Sequence, residues 1–156
     1  MVLKLCTLRP AVLPDDHKNW LVLNQDFQFF VDDKEFRIPL GFSWDGASIP
    51  RLTWSIIGDP TEPDFWAASL IHDWLYLTHH TARSTADECI FQALRQCDVS
   101  LWRARTIWGA VRVFGWCAWG MTADDKAQIS RILGSIAIRP DAADWAVESN
   151  YLRGLL

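Results

Sequence analysis

Over the first third of the chain, apolar residues come in short runs bounded by turn formers. From Thr61 onward they recur at three- and four-residue intervals. The first pattern predicts strands and the second helices. Trp20–Leu23 and Phe27–Val31 are rich in β-formers, and Asp32-Asp33-Lys34 is a turn into Glu35–Ile38, so these segments read as a small antiparallel sheet. Pro39 to Arg51, dense in Gly, Pro, Asp and Ser, predicts a loop. Thr61-Glu62-Pro63-Asp64, with Thr61 as N-cap, opens the helix that carries His72. Thr85-x-x-Glu88 predicts a capping box for a second helix running to about Gln96. Ser100 caps a long helix from Leu101 towards Gly115, and Thr122-x-x-Asp125 and Asp141-x-x-Asp144 start two more. The expected class is α+β, mainly α: a small N-terminal antiparallel sheet followed by a helical core built on an antiparallel helix pair. A single domain over 1–156 is expected, with strands and an Asp-Gly loop in 1–60, the helical core in 61–119 and C-terminal helices in 120–156.

The helix expected around His72 is apolar on nearly every side, through Ala67, Ala68, Leu70, Ile71, Trp74, Leu75 and Leu77. Its polar residues are confined to one stripe. Ser69, His72, Asp73 and Tyr76 fall at i, i+3, i+4 and i+7, on one face of a helix of 3.6 residues per turn. A buried carboxylate beside a buried imidazole costs several kcal/mol unless each is paired, protonated or metal-bound. A structural His-Asp pair is the simpler account. The tyrosine one turn on, a second acid in the next helix and the upstream Asp45-Gly46 favour chemistry.

The second acid is Asp87. An acid in the first turn of a helix often serves only the caps and the dipole. Asp87, Ile90, Phe91 and Leu94 share one stripe, however, so Asp87 should face the core while Glu88 caps. In an antiparallel hairpin Asp87 reaches His72, fixes its tautomer and leaves the other ring nitrogen to accept a proton.

Half of the 156 residues are hydrophobic, enough for a real core. The net charge of −4 argues against a general nucleic-acid binder, and Arg103, Arg105 and Arg112 read as a solvated face of one helix. Ten Trp is high, with core as the default setting for most of them. The four Cys show no C-x-x-C pair, which suggests neither a zinc cluster nor a thioredoxin-like motif. Cys89 and Cys97 sit on the order of 12 Å apart along one helix, too far for a disulfide. Met1–Pro14 makes a poor signal peptide, and Ile107–Met121, interrupted by Arg112, is too short to span a bilayer. Reduced, buried thiols and synthesis in a cytoplasm are the expected setting.

A helix bearing His72-Asp73-Trp74-Leu75-Tyr76, followed by one bearing Asp87-Glu88-Cys89-Ile90-Phe91, resembles the catalytic pair of calcium-dependent secreted phospholipases A2. The small bacterial and fungal members are nearest, since Asp45 matches an upstream calcium-binding Asp and Trp108–Gly115 their later Ala-Val-basic-hydrophobic-Phe-Gly pattern. The resemblance implies His72 as general base, Asp87 orienting it, Tyr76 bonding to Asp87, and Asp73 and Asp45 with carbonyls near Gly46 binding Ca²⁺. It also implies a phospholipid substrate, with Trp44 or Trp54 meeting the lipid surface. Asp45-Gly46-Ala47-Ser48-Ile49-Pro50-Arg51 taken with His72–Tyr76 resembles, in addition, an uncharacterised domain family of tailed phages and prophages. Two readings follow. One is a Ca²⁺-dependent phospholipase A2-like esterase of a phage or prophage. The other is a non-catalytic virion, tail or assembly protein that keeps the fold and binds other virion proteins.

Overall fold

In Phe27-Gln28-Phe29-Phe30-Val31 every second residue is apolar and buried, the period of a strand with one face on a core. A computed structural model of the protein describes residues 1–14, 20–44 and 62–156. The strands are β1 (Leu3–Leu5), β2 (Val12–Pro14), β3 (Leu21–Leu23), β4 (Phe27–Val31), β5 (Lys34–Ile38) and β6 (Ser43–Trp44). All pairings are antiparallel, as expected, but they form two three-stranded sheets, β1-β4-β5 and β2-β3-β6. The segment from Trp20 to Leu23 therefore does not join Phe27–Val31 in one sheet. Two N-terminal strands too short to show a pattern take the neighbouring places, with Leu3 opposite Val31 and Val12 opposite Leu23.

The described helices are α1 (Trp66–Thr78), α2 (Arg83–Gln96), α3 (Leu101–Phe114), α4 (Ala123–Ala137) and α5 (Ala146–Arg153). Short 3-10 turns precede α1 at Pro63–Phe65, follow α3 at Gly115–Cys117 and precede α5 at Ala142–Trp145. None of these helices is long and apolar enough to cross a membrane. The described residues cluster in two compact units, Met1–Trp119 and Gly120–Leu156.

In the first unit α1 is the centre. Only Trp66 and Asp73 along it escape full burial, as its all-round apolar sequence requires. Trp74 meets Phe42 edge-on at 5.4 Å between ring centres, and Phe29 stacks on Phe36 at 5.2 Å. Trp44 does not face outward. It is buried, and its indole N–H donates to the Ser69 hydroxyl at 3.1 Å, while Ser69 donates back to the Phe65 carbonyl. Trp54 lies outside the described residues. Helix α2 grips the edge of β1 through side-chain amides. Gln92 accepts from the Leu3 N–H at 2.8 Å, and Gln96 donates to the Leu3 carbonyl at 2.9 Å, so this strand's free edge is bonded within the fold.

The helix boundaries depart from the sequence reading in instructive ways. Helix α2 starts at Arg83 after Ala82, with no side-chain cap, so Thr85 sits inside the first turn; Glu88 accepts from Gln92 instead of capping. Ser100 holds the N-cap position of α3, but its hydroxyl makes no capping bond. Asp141 caps nothing, because both its carboxylate oxygens take the Arg139 guanidinium, at 2.8 and 2.7 Å. Thr61 falls outside the described residues. In the second unit the Thr122/Asp125 capping box forms as expected, with Asp125 N–H on the Thr122 hydroxyl at 3.1 Å and Thr122 N–H on the Asp125 carboxylate at 2.8 Å. Ile129, Ile132 and Ile136 of α4, with Trp145 and Leu152, are this unit's buried apolar residues.

Trp74→Ala should cost about 3–5 kcal/mol, since it empties a fully enclosed aromatic site. Ile138→Ala, at an exposed position, should stay within about 0.5 kcal/mol. Urea unfolding followed by circular dichroism measures both.

Candidate active site

The turn of residues 79–82 folds α1 and α2 into a hairpin, with His79 in the left-handed region (φ 52°) ending α1. The hairpin brings Tyr76 of α1 against Asp87 of α2. The Tyr76 hydroxyl donates to Asp87 Oδ1 at 2.6 Å, a short bond of the charge-assisted kind. One turn back on α1, His72 presents Nε2 to the same oxygen at 3.5 Å, and its ring lies 4.0 Å from that of Tyr76. The other ring nitrogen, Nδ1, stands 3.5 Å from Asp73 Oδ1. His72, Asp73, Tyr76 and Asp87 thus come together as the spacing predicts. Ser69 does not join them, being held by Trp44 and the Phe65 carbonyl.

Asp87 is wholly buried, and its second oxygen is occupied by two arginines the sequence reading left out of the site. Arg83 and Arg112 each donate from Nη1 to Oδ2 at 3.3 Å. Arg83 was legible once α2 is started at the right residue, because it lies four residues before Asp87 on the same helix face. Arg112, though exposed, does not simply project into solvent with Arg105. It turns inward to Asp87, while Arg103 pairs with Glu62 at 3.2 Å and covers the Phe65 ring at 4.9 Å. Gly115 completes the enclosure. A Cβ there would run into the Tyr76 hydroxyl, so the close approach needs glycine. Trp119 closes edge-on over Tyr76 at 4.8 Å.

The protonation of the group follows from these contacts. Burial opposes ionisation of Asp87, but His72, Tyr76 and Arg83 outweigh it and hold the carboxyl below its ordinary 3.8. Burial likewise favours a neutral His72, yet the carboxylates of Asp73 and Asp87 override it and lift the imidazole above 6.5. Tyr76 is pushed well up, by burial and then by the neighbouring Asp87, so it acts only as a donor. His72 Nε2 stands 3.5 Å from Asp87 without making a full hydrogen bond to it, and has no other acceptor among the described residues. Both carboxylates attract a proton to the ring, Asp73 at Nδ1 and Asp87 at Nε2. A neutral ring with its proton on Nε2 leaves Nδ1 to accept one, on the side of the part-exposed Asp73. Asp45 and Gly46 lie outside the described residues, and among those described no group of three or more His, Cys, Asp or Glu is arranged around a metal.

Residues 21–111 match the family described as Protein of unknown function (DUF1353), a span that includes His72, Asp73, Tyr76, Arg83 and Asp87. The chain is 35% identical over 96 residues to the uncharacterized protein y4jT of Sinorhizobium fredii, a match covering 60% of this chain and 28% of that relative. No solved structure matches.

Two outcomes test the geometry. Tyr76→Phe removes a bond to a buried carboxylate and should cost about 1.5–3 kcal/mol. Gly115→Ala should also destabilise, and by less in the Tyr76→Phe background than alone, because the hydroxyl it strikes is gone; a double-mutant cycle in urea measures this coupling. For pH, a folded His72 value raised above 6.5 makes its contribution to stability complete below 6.5 and lost as pH rises through the folded value. Asp87 has the opposite sign, contributing above 3.8 and failing as pH falls through its lowered value. Unfolding free energy measured in chelator should therefore decline on the alkaline side of 6.5, and His72→Gln should remove that decline.

Proposed function

The chain belongs to the DUF1353 family of proteins of unknown function, and we propose that it is a phospholipase A2-like ester hydrolase, of phage or prophage origin, acting on membrane lipid. The observation that carries this reading is the order of groups across one imidazole: the buried Asp87, bonded to Tyr76, at Nε2, and the part-exposed Asp73 at Nδ1. A carboxylate held against one nitrogen and a proton-accepting nitrogen opposite is what a general base for water activation requires. Burial of His72 and Asp87 strengthens the electrostatics between them.

In this reading a water oxygen attacks the ester carbonyl carbon while one of its protons passes to His72 Nδ1. The tetrahedral oxyanion then collapses, the carbon–oxygen bond to the alcohol breaks, and His72 returns the proton to the leaving alkoxide. Asp87 stays ionised throughout and stabilises the imidazolium, a role supported by its lowered pKa. Tyr76, Arg83 and Arg112 hold that carboxylate in place.

Calcium is part of the proposal. Ca²⁺ takes six to eight oxygens, and the part-exposed carboxylate of Asp73 is of the right kind. Asp45 and the backbone at Gly46 would supply others from outside the described residues. When bound there, the ion would polarise the ester carbonyl and offset the charge of the oxyanion.

A second reading, a non-catalytic virion or tail protein, is favoured by one feature: His72 is only 6% exposed and Asp87 is enclosed by four side chains, as in a network that fixes a fold. Fatty-acid release from phospholipid vesicles separates the two. The hydrolase reading expects release that needs calcium, falls at least a hundredfold in His72→Gln, and rises with pH above 6.5 as His72 becomes neutral. No release above background from a folded native chain in calcium would contradict it and favour the structural role.

A further inference from the structure

The first turns of α2 and the second half of α3 border a cleft of about 350 Å³, lined by Met1, Ser84, Thr85, Glu88, Trp108 and Arg112. That volume is of the size of a small-molecule site, in which a few polar groups are set against an aromatic wall. Of these residues only Arg112 serves the His72 site. Trp108 is held edge-on against Phe91, with ring centres 6.4 Å apart, and gives the cleft its flat apolar side.

The charges on the cleft select its ligand. Arg112 gives Asp87 a single nitrogen, Nη1, and is exposed, so the rest of its guanidinium is open to a second partner. Glu88 accepts one bond, from Gln92 at 3.3 Å, and forms no ion pair among the described residues. The amino nitrogen of Met1 is taken up by Asp32, at 3.9 Å. A cation and an anion thus line one cleft without pairing to each other. Glu88 follows Asp87 in the chain, and Arg112 is bonded to Asp87, so the two charges stand within the span of a small molecule. An anion alone would meet the Glu88 carboxylate, and a cation alone the Arg112 guanidinium. A zwitterion meets opposite charge at both. The hydroxyls of Ser84 and Thr85, which have no bond among the described residues, remain for its other lone pairs.

We propose that this cleft binds a free α-amino acid with an aromatic side chain, its carboxylate on Arg112, its ammonium on Glu88 and its ring on Trp108. The proposal stands apart from the ester-hydrolase reading and does not rest on it. Arg112 belongs to both places, so an occupied cleft and the His72 site share one guanidinium.

The test is isothermal titration of the full chain with L-phenylalanine, L-tyrosine and L-tryptophan, and with three analogues of the first. At least one of the amino acids should bind, at one per chain. N-acetyl-L-phenylalanine lacks the cation, L-phenylalanine methyl ester the anion and glycine the ring, and each should bind at least tenfold more weakly than L-phenylalanine. Glu88→Gln removes the charge but keeps an acceptor for Gln92. It should weaken L-phenylalanine at least tenfold and bring it level with the N-acetyl derivative, with an unchanged melting curve. Ser84→Trp, at an exposed position, fills the cleft and should abolish binding without touching Asp87 or His72. No saturable binding of any of the three amino acids at millimolar concentration by the folded native chain overturns the proposal. So does binding that the N-acetyl derivative or the methyl ester matches, since the ligand is then not selected as a zwitterion, and so does binding undiminished in both variants, since it then lies elsewhere on the protein.

Discussion

A fully buried carboxylate governs the first unit of this protein. Asp87 cannot stay ionised away from water unless its charge is met by donors and cations, since the cost of leaving it unpaired is several kcal/mol. Each of the three helices supplies part of the answer: Tyr76 and His72 from α1, Arg83 from α2 and Arg112 from α3. The helices are thus tied together at one point by groups that lose their partner if any helix shifts. Gly115 shows how tight that point is, because a single added methyl there would displace the tyrosine that bonds to Asp87.

The same arrangement sets the chemistry available. His72, Tyr76 and Arg83 keep Asp87 ionised, and an ionised Asp87 helps to keep a proton on His72. Asp73 adds to that pull from the other side of the ring. The histidine is therefore biased towards its charged form and becomes a proton acceptor only above its ordinary titration range. A group that drew off the charge of Asp73, as a bound cation does, would act against that bias at Nδ1. The polar network thereby serves stability and reactivity through the same contacts, and the two roles separate only in the titration of one ring.

Much of this was legible in the sequence because α1 is so apolar. Against Ala67, Leu70, Ile71, Trp74 and Leu75, a His-Asp pair with a tyrosine one turn on stands out. The stripe of Asp87 with Ile90 and Leu94 gave its inward direction. The arginines are hidden for two reasons: a capping box at Thr85 starts α2 three residues late, which conceals the Arg83–Asp87 spacing, and Arg112 looks like any exposed cation until α3 is packed. Trp44 and the division into two sheets depend on partners distant in sequence. Trp44 bonds to Ser69, and β1 finds β4, through pairings that no local pattern encodes. Asp45 and Gly46, expected beside Asp73, lie outside the described residues.

The central claim is that His72 is a base oriented by Asp87, and the nitrogen-15 NMR titration of its imidazole in chelator tests it most directly, with His72→Gln providing the assignment. The account predicts a titration above 6.5 and, on the alkaline side, a neutral ring that keeps its proton on Nε2 and leaves Nδ1 bare. A ring that loses its charge below 6.5, or one that keeps its proton on Nδ1, would contradict it.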